Sequence, residues 1–293
     1  MKPLRTRLVQ ARHRTGVPWD VLERDYVLSW ILAAISRHEH LRETLVFKGG
    51  TALKKCYFGD YRFSEDLDFS GLAGVPTGKD METAIHGVCR AATELLDEYA
   101  PVQIEWERYT EKEPHPGGQE AFTIRAQLPW QRQAQTRVMV EIAVDEKVLK
   151  PPCRRRVIHD YGEPIEAEVQ VYGLEEIIAE KLRAILQHQR SLQERGWSRS
   201  RARDYYDIWR ILGAYQGCLD LTDFERLVRA KSELRGVDFR GPEDFFDDTM
   251  LAYVERTWSQ WLGNLVPNLP SFQTVMGQLR PQIVTILNKG SRP

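Results

Sequence analysis

The 293-residue chain is 28 % charged yet has a formal net charge of only -1, which excludes nucleic-acid coating by global charge and leaves room for a local basic patch. Its four cysteines, Cys56, Cys89, Cys153 and Cys218, form no C-x-x-C pair, so neither structural zinc nor a disulfide framework is expected. No stretch approaches the ~18 apolar residues of a membrane span and no hydrophobic signal region opens the sequence, so the reading is a soluble, cytoplasmic chain with no membrane partner.

In chain order, residues 19–36 carry apolar positions at helical spacing, with Pro18 placed for a first turn. "TLVFKGG" reads as a strand feeding a tight turn, "TALKKCYF" as a short helix beginning at Thr51, and "EDLDFSGL" as the next strand. Residues 78–99 are helical, with Ala84, Ile85, Val88, Ala92, Leu95 and Leu96 as the stripe. After Pro101 the texture is β: "VQIEWERYT", "AFTIRAQLPW" and "TRVMVEIAVD" alternate, "EKEPHPGG" is the turn between the first two, and "EAEVQVYG" is a last short strand. From Leu174 the period is helical, with helices expected at 174–191, 202–214, 221–234, 243–263 and 271–288 and an exposed basic loop in "QRSLQERGWSRSRARD". The expected class is α+β, a mixed-sheet lobe over 1–172 followed by a helical lobe over 173–293.

Asp66 and Asp68 are the feature that needs a chemical explanation. In a strand they share one face while Leu67 and Phe69 point into a core. Like charges held that close destabilise each other unless a cation joins them, and a divalent metal is the obvious one. Glu141, between Val140 and Ile142, offers a third carboxylate for Mg²⁺ (or Mn²⁺), which would bridge the phosphates of an NTP. Gly49 and Gly50 let backbone N–H groups approach a phosphate, and the Thr51 hydroxyl can donate from a helix start. Among the cations near this turn, Lys54 lies one helical turn after Gly50 and is the phosphate candidate, whereas Lys48, Lys55 and Arg62 read as solvated. Ser64 caps or orients the segment before the acids.

Each feature has a plainer explanation: a D-x-D is often a surface turn, a Gly-Gly often only turns the chain, and Glu141 could face water on an edge strand. The order strand, Gly-Gly-Thr, short helix, D-x-D strand and acid-bearing strand favours a nucleotidyltransferase. Arg190, Arg195, Arg199, Arg201 and Arg203 with Trp197, and "CRRRV" at 153–157, are candidates for an RNA end or for solvated surface.

"ERDYVLSWIL", "FKGGTALKKCY", "RFSEDLDF", "VEIAVDE", "LEEIIAEKLRAIL" and "RDYYDIWRI" occur in this order, and the sequence over about residues 20–212 resembles the AbiEii/AbiGii toxin family. These are nucleotidyltransferase-like toxins of type IV toxin–antitoxin and abortive-infection systems, related to the mycobacterial MenT toxins. The resemblance implies a nucleotidyltransferase-like sheet lobe, with Gly50 and Thr51 cradling the triphosphate and Asp66 and Asp68 binding metal. It also implies Lys181 near the nucleotide, Asp204 as the final acid, and a site in the cleft between lobes. Glu141 stands where many members carry Asp. Transfer of a nucleoside monophosphate to RNA, a tRNA 3′ end, would block translation, and a cognate antitoxin encoded nearby would oppose it. The residues alone supply NTP, metal and phosphoryl chemistry. Transfer to a protein hydroxyl, kinase activity and a non-catalytic binding module are the alternatives. By itself Lys181 reads as a solvated lysine, and Asp204 and Asp207 as a helix-start pair or as the support of Lys181 and Arg203.

Overall fold

A computed structural model describes residues 1–110, 119–196 and 200–288, and the chain divides into two compact units, Met1–Tyr172 and Gly173–Pro293. The turn expected at "EKEPHPGG", and Trp197 and Arg199 of the basic segment, lie outside the described residues.

The first unit opens with α1 (Leu4–Thr15), α2 (Trp19–Arg37) and α3 (Leu41–Thr44). β1 (Leu45–Lys48) leads into α4 (Gly49–Ala52), which continues as a π-helical turn over Leu53–Tyr57. β2 (Asp66–Gly71), α5 (Gly78–Asp97), β3 (Gln103–Arg108), β4 (Gln119–Gln127), β5 (Thr136–Ala143), β6 (Cys153–Arg156) and β7 (Glu168–Val171) follow. The strands form one sheet in the order β3-β4-β5-β2-β1-β7-β6. Central β2 runs antiparallel to β1 and parallel to β5, so the sheet is mixed, as expected for the α+β class.

Alternation along the strands gives this sheet two unlike faces. Phe47, Leu67, Phe69, Val138, Val140 and Ile142 are buried, and their side of the sheet is the one the helices cover. α2 packs on α1, α5, β5 and β7, and α5 packs on β3 and β4. Nearly every residue of α2 from Val21 to Ile35 is buried, because the helix is enclosed by neighbours on several sides. The side chains that alternate with this core, among them Asp66, Asp68, Met139 and Glu141, are half-buried on the opposite face.

Several elements of this unit differ from expectation, α3 and β6 among them, neither of which was read from the sequence. α1 precedes the first helix read from the sequence, and its buried stripe of Leu4, Arg7, Leu8 and Ala11 contains a charge. Arg7 donates to the Tyr161 carbonyl at 2.7 Å and forms an ion pair with Glu163, so it is buried despite its polarity. The helix expected from Thr51 starts two residues earlier, at Gly49.

The described elements of the second unit are all helical: α6 (Leu174–Arg195), α7 (Ala202–Tyr215), α8 (Phe224–Glu233), α9 (Asp248–Leu262) and α10 (Phe272–Asn288), with 3₁₀ turns at Gln216–Cys218 and Pro242–Phe246. α6 runs on to Gly196, which ends it in the left-handed region at φ 72°. Gln189–Arg195 is therefore helix and not part of an exposed loop. The helix expected over 243–263 is split, because the Asp247 side chain caps α9 by accepting from Met250 N at 2.9 Å. Among the described residues no helix is long and apolar enough to cross a membrane.

Candidate active site

Strand register determines which acids meet. Asp68 is the partner of Glu141 across the parallel β2–β5 pair and of Lys48 across the antiparallel β1–β2 pair, while Asp66 is the partner of Met139. Lys48, Asp68 and Glu141 thus form one row across three strands ~4.8 Å apart, and Asp66 lies on the same face two residues along. Asp66, Asp68 and Glu141 are all half-buried. Among the described residues no group of three or more His, Cys, Asp or Glu side chains is arranged to hold a metal ion. The acids share a face without closing into a three-ligand cluster. A donor set of carboxylate oxygens alone suits a hard divalent cation such as Mg²⁺ or Mn²⁺, whose remaining positions substrate phosphate oxygens and water would fill.

The glycine turn sits directly against these acids. Gly49 adopts φ 77°, a conformation that side-chain-bearing residues rarely take. A Cβ there would collide with Asp68 Oδ2, and one on Gly50 would collide with Arg62 Nη2 and come within 3.1 Å of Ser64 Oγ. The Thr51 hydroxyl donates to the Asp66 carbonyl at 2.6 Å. Its proton therefore fastens α4 to β2 and is not directed at a phosphate.

The cations around the turn are held more firmly than a solvated reading allows. Lys48 forms an ion pair with Glu146, which also accepts from the Ser70 hydroxyl at 3.2 Å. Lys54 is 8 % exposed, and its ammonium lies 4.1 Å from the centre of the Phe63 ring. Arg62 is buried and donates to the Phe63 carbonyl at 3.2 Å. Lys55 is buried too, because the π-helical turn directs it onto α2. There it donates to Asp25 Oδ2 at 2.7 Å, the Asp25 carbonyl at 3.1 Å and Ser29 Oγ at 2.9 Å. Burial pushes the Lys55 ammonium below its ordinary pKa, by more than the Asp25 charge restores. Burial works the other way on Asp25, where the charges of Lys55 and Lys54 and the hydrogen bonds from Lys55 and Tyr161 together outweigh it and keep the carboxyl below its usual range. Arg24, next to Asp25, forms an ion pair with Glu65 just ahead of β2. Sequence reasoning missed this anchoring of the acidic strand to α2. Its signal was an Asp inside an otherwise apolar helix, a placement that requires a partner.

In the second unit Lys181 of α6 is buried, not solvated. It contacts Asp204 Oδ1 at 2.9 Å and Asp207 Oδ2 at 2.7 Å, both on α7, and Arg201 lies 3.4 Å from Asp204 Oδ2. Burial alone would raise the Asp204 pKa, but Lys181 and Arg201 more than offset it and hold the carboxyl below its ordinary value. Arg203 donates to the Trp261 carbonyl and lies over the Trp261 ring at 5.5 Å. Glu180, the neighbour of Lys181, turns to Lys231 at 3.0 Å, and Lys231 also meets Glu176 at 2.7 Å.

Known proteins resemble this chain in sequence family and in fold. The family described as the nucleotidyl transferase AbiEii toxin of type IV TA systems matches residues 30–278. Among solved structures, MenT4, a nucleotidyltransferase toxin from Mycobacterium tuberculosis H37Rv, shares the fold with a TM-score of 0.63. The two are 20 % identical over 96 % of this chain and 89 % of that one. No curated protein sequence matches this chain. The family match takes in both acidic strands and the lysine–aspartate helices, and the chain belongs to the AbiEii nucleotidyltransferase toxin family of type IV toxin–antitoxin systems.

Proposed function

We propose that this nucleotidyltransferase moves a nucleoside monophosphate from an NTP to the 3′ end of an RNA, a tRNA, and so blocks translation in the cytoplasm until a cognate antitoxin neutralises it. The observation that carries the reading is the placement of Asp68 against the Gly49 backbone and level with Glu141 across the strand pair. The acidic strand and the phosphate-accepting turn are thereby in direct contact. Asp66 and Asp68 are the proposed ligands of Mg²⁺ or Mn²⁺, with Glu141 as the third carboxylate. The metal supplies charge neutralisation at the transferred phosphoryl group. Gly49 and Gly50 offer backbone N–H groups to the triphosphate, Ser64 stands beside Gly50, Lys54 adds charge one turn on, and Thr51 fixes the turn to β2. Lys181 is a proposed catalytic and nucleotide-binding residue, with Asp204 holding it in position.

In the reaction the acceptor hydroxyl oxygen attacks the α-phosphorus and forms a P–O bond. The bond from that phosphorus to pyrophosphate breaks, and the hydroxyl proton passes to a neighbouring carboxylate. The test is incubation of the full chain with each labelled NTP, Mg²⁺ and either total RNA or total protein. Label is expected in RNA of tRNA size, from wild type and not from the Asp68→Asn variant. Label confined to protein would replace the RNA reading with modification of a protein hydroxyl. In cells, growth arrest and loss of chargeable tRNA are expected from wild type alone. Arrest by Asp68→Ala as well would point to a binding mechanism.

A further inference from the structure

On the carboxylate face of the sheet, Arg125 of β4 and Arg137 of β5 stand directly opposite each other. Like charges in that position cost stability unless something compensates them. Arg125 is compensated, because its guanidinium donates to Glu107 of β3 at 3.2 and 3.3 Å. Among the described residues Arg137 meets no carboxylate, and its side chain is exposed. Its Nη2 lies 3.3 Å from Met139 Sδ and 3.4 Å from Thr123 Oγ1, and its guanidinium carbon is 6.0 Å from the centre of the Tyr109 ring. Met139 is the register partner of Asp66. The Arg137 side chain therefore leans along β5 until its cation rests on the immediate strand neighbour of Asp66, one strand spacing of ~4.8 Å away.

We infer that Arg137 and Tyr109 form the seat of the acceptor RNA's terminal nucleotide, with Arg137 meeting a backbone phosphate and Tyr109 stacking on the base. The inference rests on the transferase reading above and specifies where its acceptor binds. Phosphoryl transfer needs the entering and leaving oxygens roughly in line through phosphorus. The glycine turn follows β1, on one side of β2, and β5 is the other neighbour of β2. With the pyrophosphate end at the turn, the entering hydroxyl comes from the β5 side, where Arg137 lies. A guanidinium beside an aromatic ring is what recognises the end of a single strand, through phosphate contact and base stacking. A protein hydroxyl acceptor would need neither.

The test titrates a fluorescein-labelled single-stranded RNA oligonucleotide by anisotropy, and separately a fluorescent NTP analogue, against the full chain. Wild type is compared with Arg137→Glu, Arg137→Lys, Tyr109→Ala and Tyr109→Phe, and the acceptor and NTP KM values are measured alongside. Arg137→Glu and Tyr109→Ala should weaken oligonucleotide binding about tenfold, the scale of one base stack or phosphate contact, and raise the acceptor KM alone. Arg137→Glu should also reduce the log–log salt slope by about one. Arg137→Lys should recover part of the binding and Tyr109→Phe nearly all of it. Unchanged oligonucleotide affinity, with wild type still labelling RNA, would overturn the seat and leave the transferase reading intact. Lost NTP affinity with normal RNA binding would reassign the pair to the nucleotide and also overturn it. If wild type itself labels no RNA, the transferase reading fails and takes the seat with it.

Discussion

Asp68 and Glu141 meet because β2 and β5 run parallel in one register, whereas Asp204 and Asp207 meet because they lie three residues apart on α7 with Lys181 of α6 against both. The two acid groups are therefore stabilised differently. The helical group is balanced from within: Lys181 serves two aspartates, and Lys231 serves Glu176 and Glu180. The strand acids are half-buried, with Asp68 against the Gly49 backbone and in register with Lys48 and Glu141. Strand register sets the first arrangement, and ion pairs between helices stabilise the second. The difference teaches where substitution should affect chemistry and where it should affect folding.

The largest effect is expected on the strands. Asp68→Asn should lower transfer about a thousandfold, ~4 kcal/mol of transition-state stabilisation. Its thermal midpoint should match wild type or rise slightly, because one of two crowded carboxylates is neutralised. Rates of labelled transfer and a melting curve on the same preparation check both halves. Activity within tenfold of wild type would remove the acids from the chemistry.

Next comes the opposite perturbation, on the helices. Lys181→Met leaves two carboxylates without their shared cation, and the Asp207 side chain is 0 % exposed. The expected loss is about 3–4 kcal/mol of unfolding free energy in urea titration of the full chain. Neutralising the orphaned partner in Lys181→Met/Asp207→Asn should restore a large part of it. If Lys181→Met is as stable as wild type but inactive, the lysine acts only in the chemistry and the contrast between the two groups fails.

The same contrast explains what the sequence could reveal. Period-two alternation around Asp66, Asp68 and Glu141 identifies a shared face without knowledge of the partner strand, so the acidic face was legible. The glycine turn was legible as well, since a Gly-Gly between strand and helix has few backbone solutions. The burial of Lys55 and Lys181 was not, because each depends on a carbonyl or carboxylate contributed by the fold rather than by its sequence neighbours. Thr51 shows the same limit at closer range. Its position at the turn was clear, but the use of its hydroxyl proton on the Asp66 carbonyl could be seen only in three dimensions.

A third test uses pH to probe the helical unit. His188 on α6 is 1 % exposed, and neither ring nitrogen has a hydrogen-bond partner among the described residues. Burial first, then the nearby Arg201, push its pKa down from 6.5 to about 4, against the smaller upward pull of Asp204. The unfolded chain therefore binds this proton at a higher pH than the folded chain does. The resulting stability is complete above pH 6.5 and is lost as pH falls towards 4. Wild type should lose about 3 kcal/mol over that range relative to His188→Leu. Urea titrations of both proteins at pH 7.5, 5.5 and 4.5 measure the difference, and parallel curves would show that the imidazole is not buried as described.

The smallest effect concerns the basic segment. Arg195 stands in the last turn of α6, before the left-handed Gly196, and a cation there favourably meets the negative end of the helix dipole. Arg190 is tied to Glu194 at 2.7 Å and to the Gly236 carbonyl at 2.9 Å, so its geometry is also set locally. Reversing the end charge in Arg195→Glu should cost ~0.5 kcal/mol of stability and leave transfer to RNA within about twofold, well short of the tenfold weakening of RNA binding expected for Arg137→Glu. The pair of variants separates a cation that serves its own helix from one that serves a ligand. If Arg195→Glu instead lowers RNA transfer tenfold and flattens its salt dependence, the end of α6 contacts the acceptor backbone, and the RNA contact read from its arginines holds even though the segment is helical.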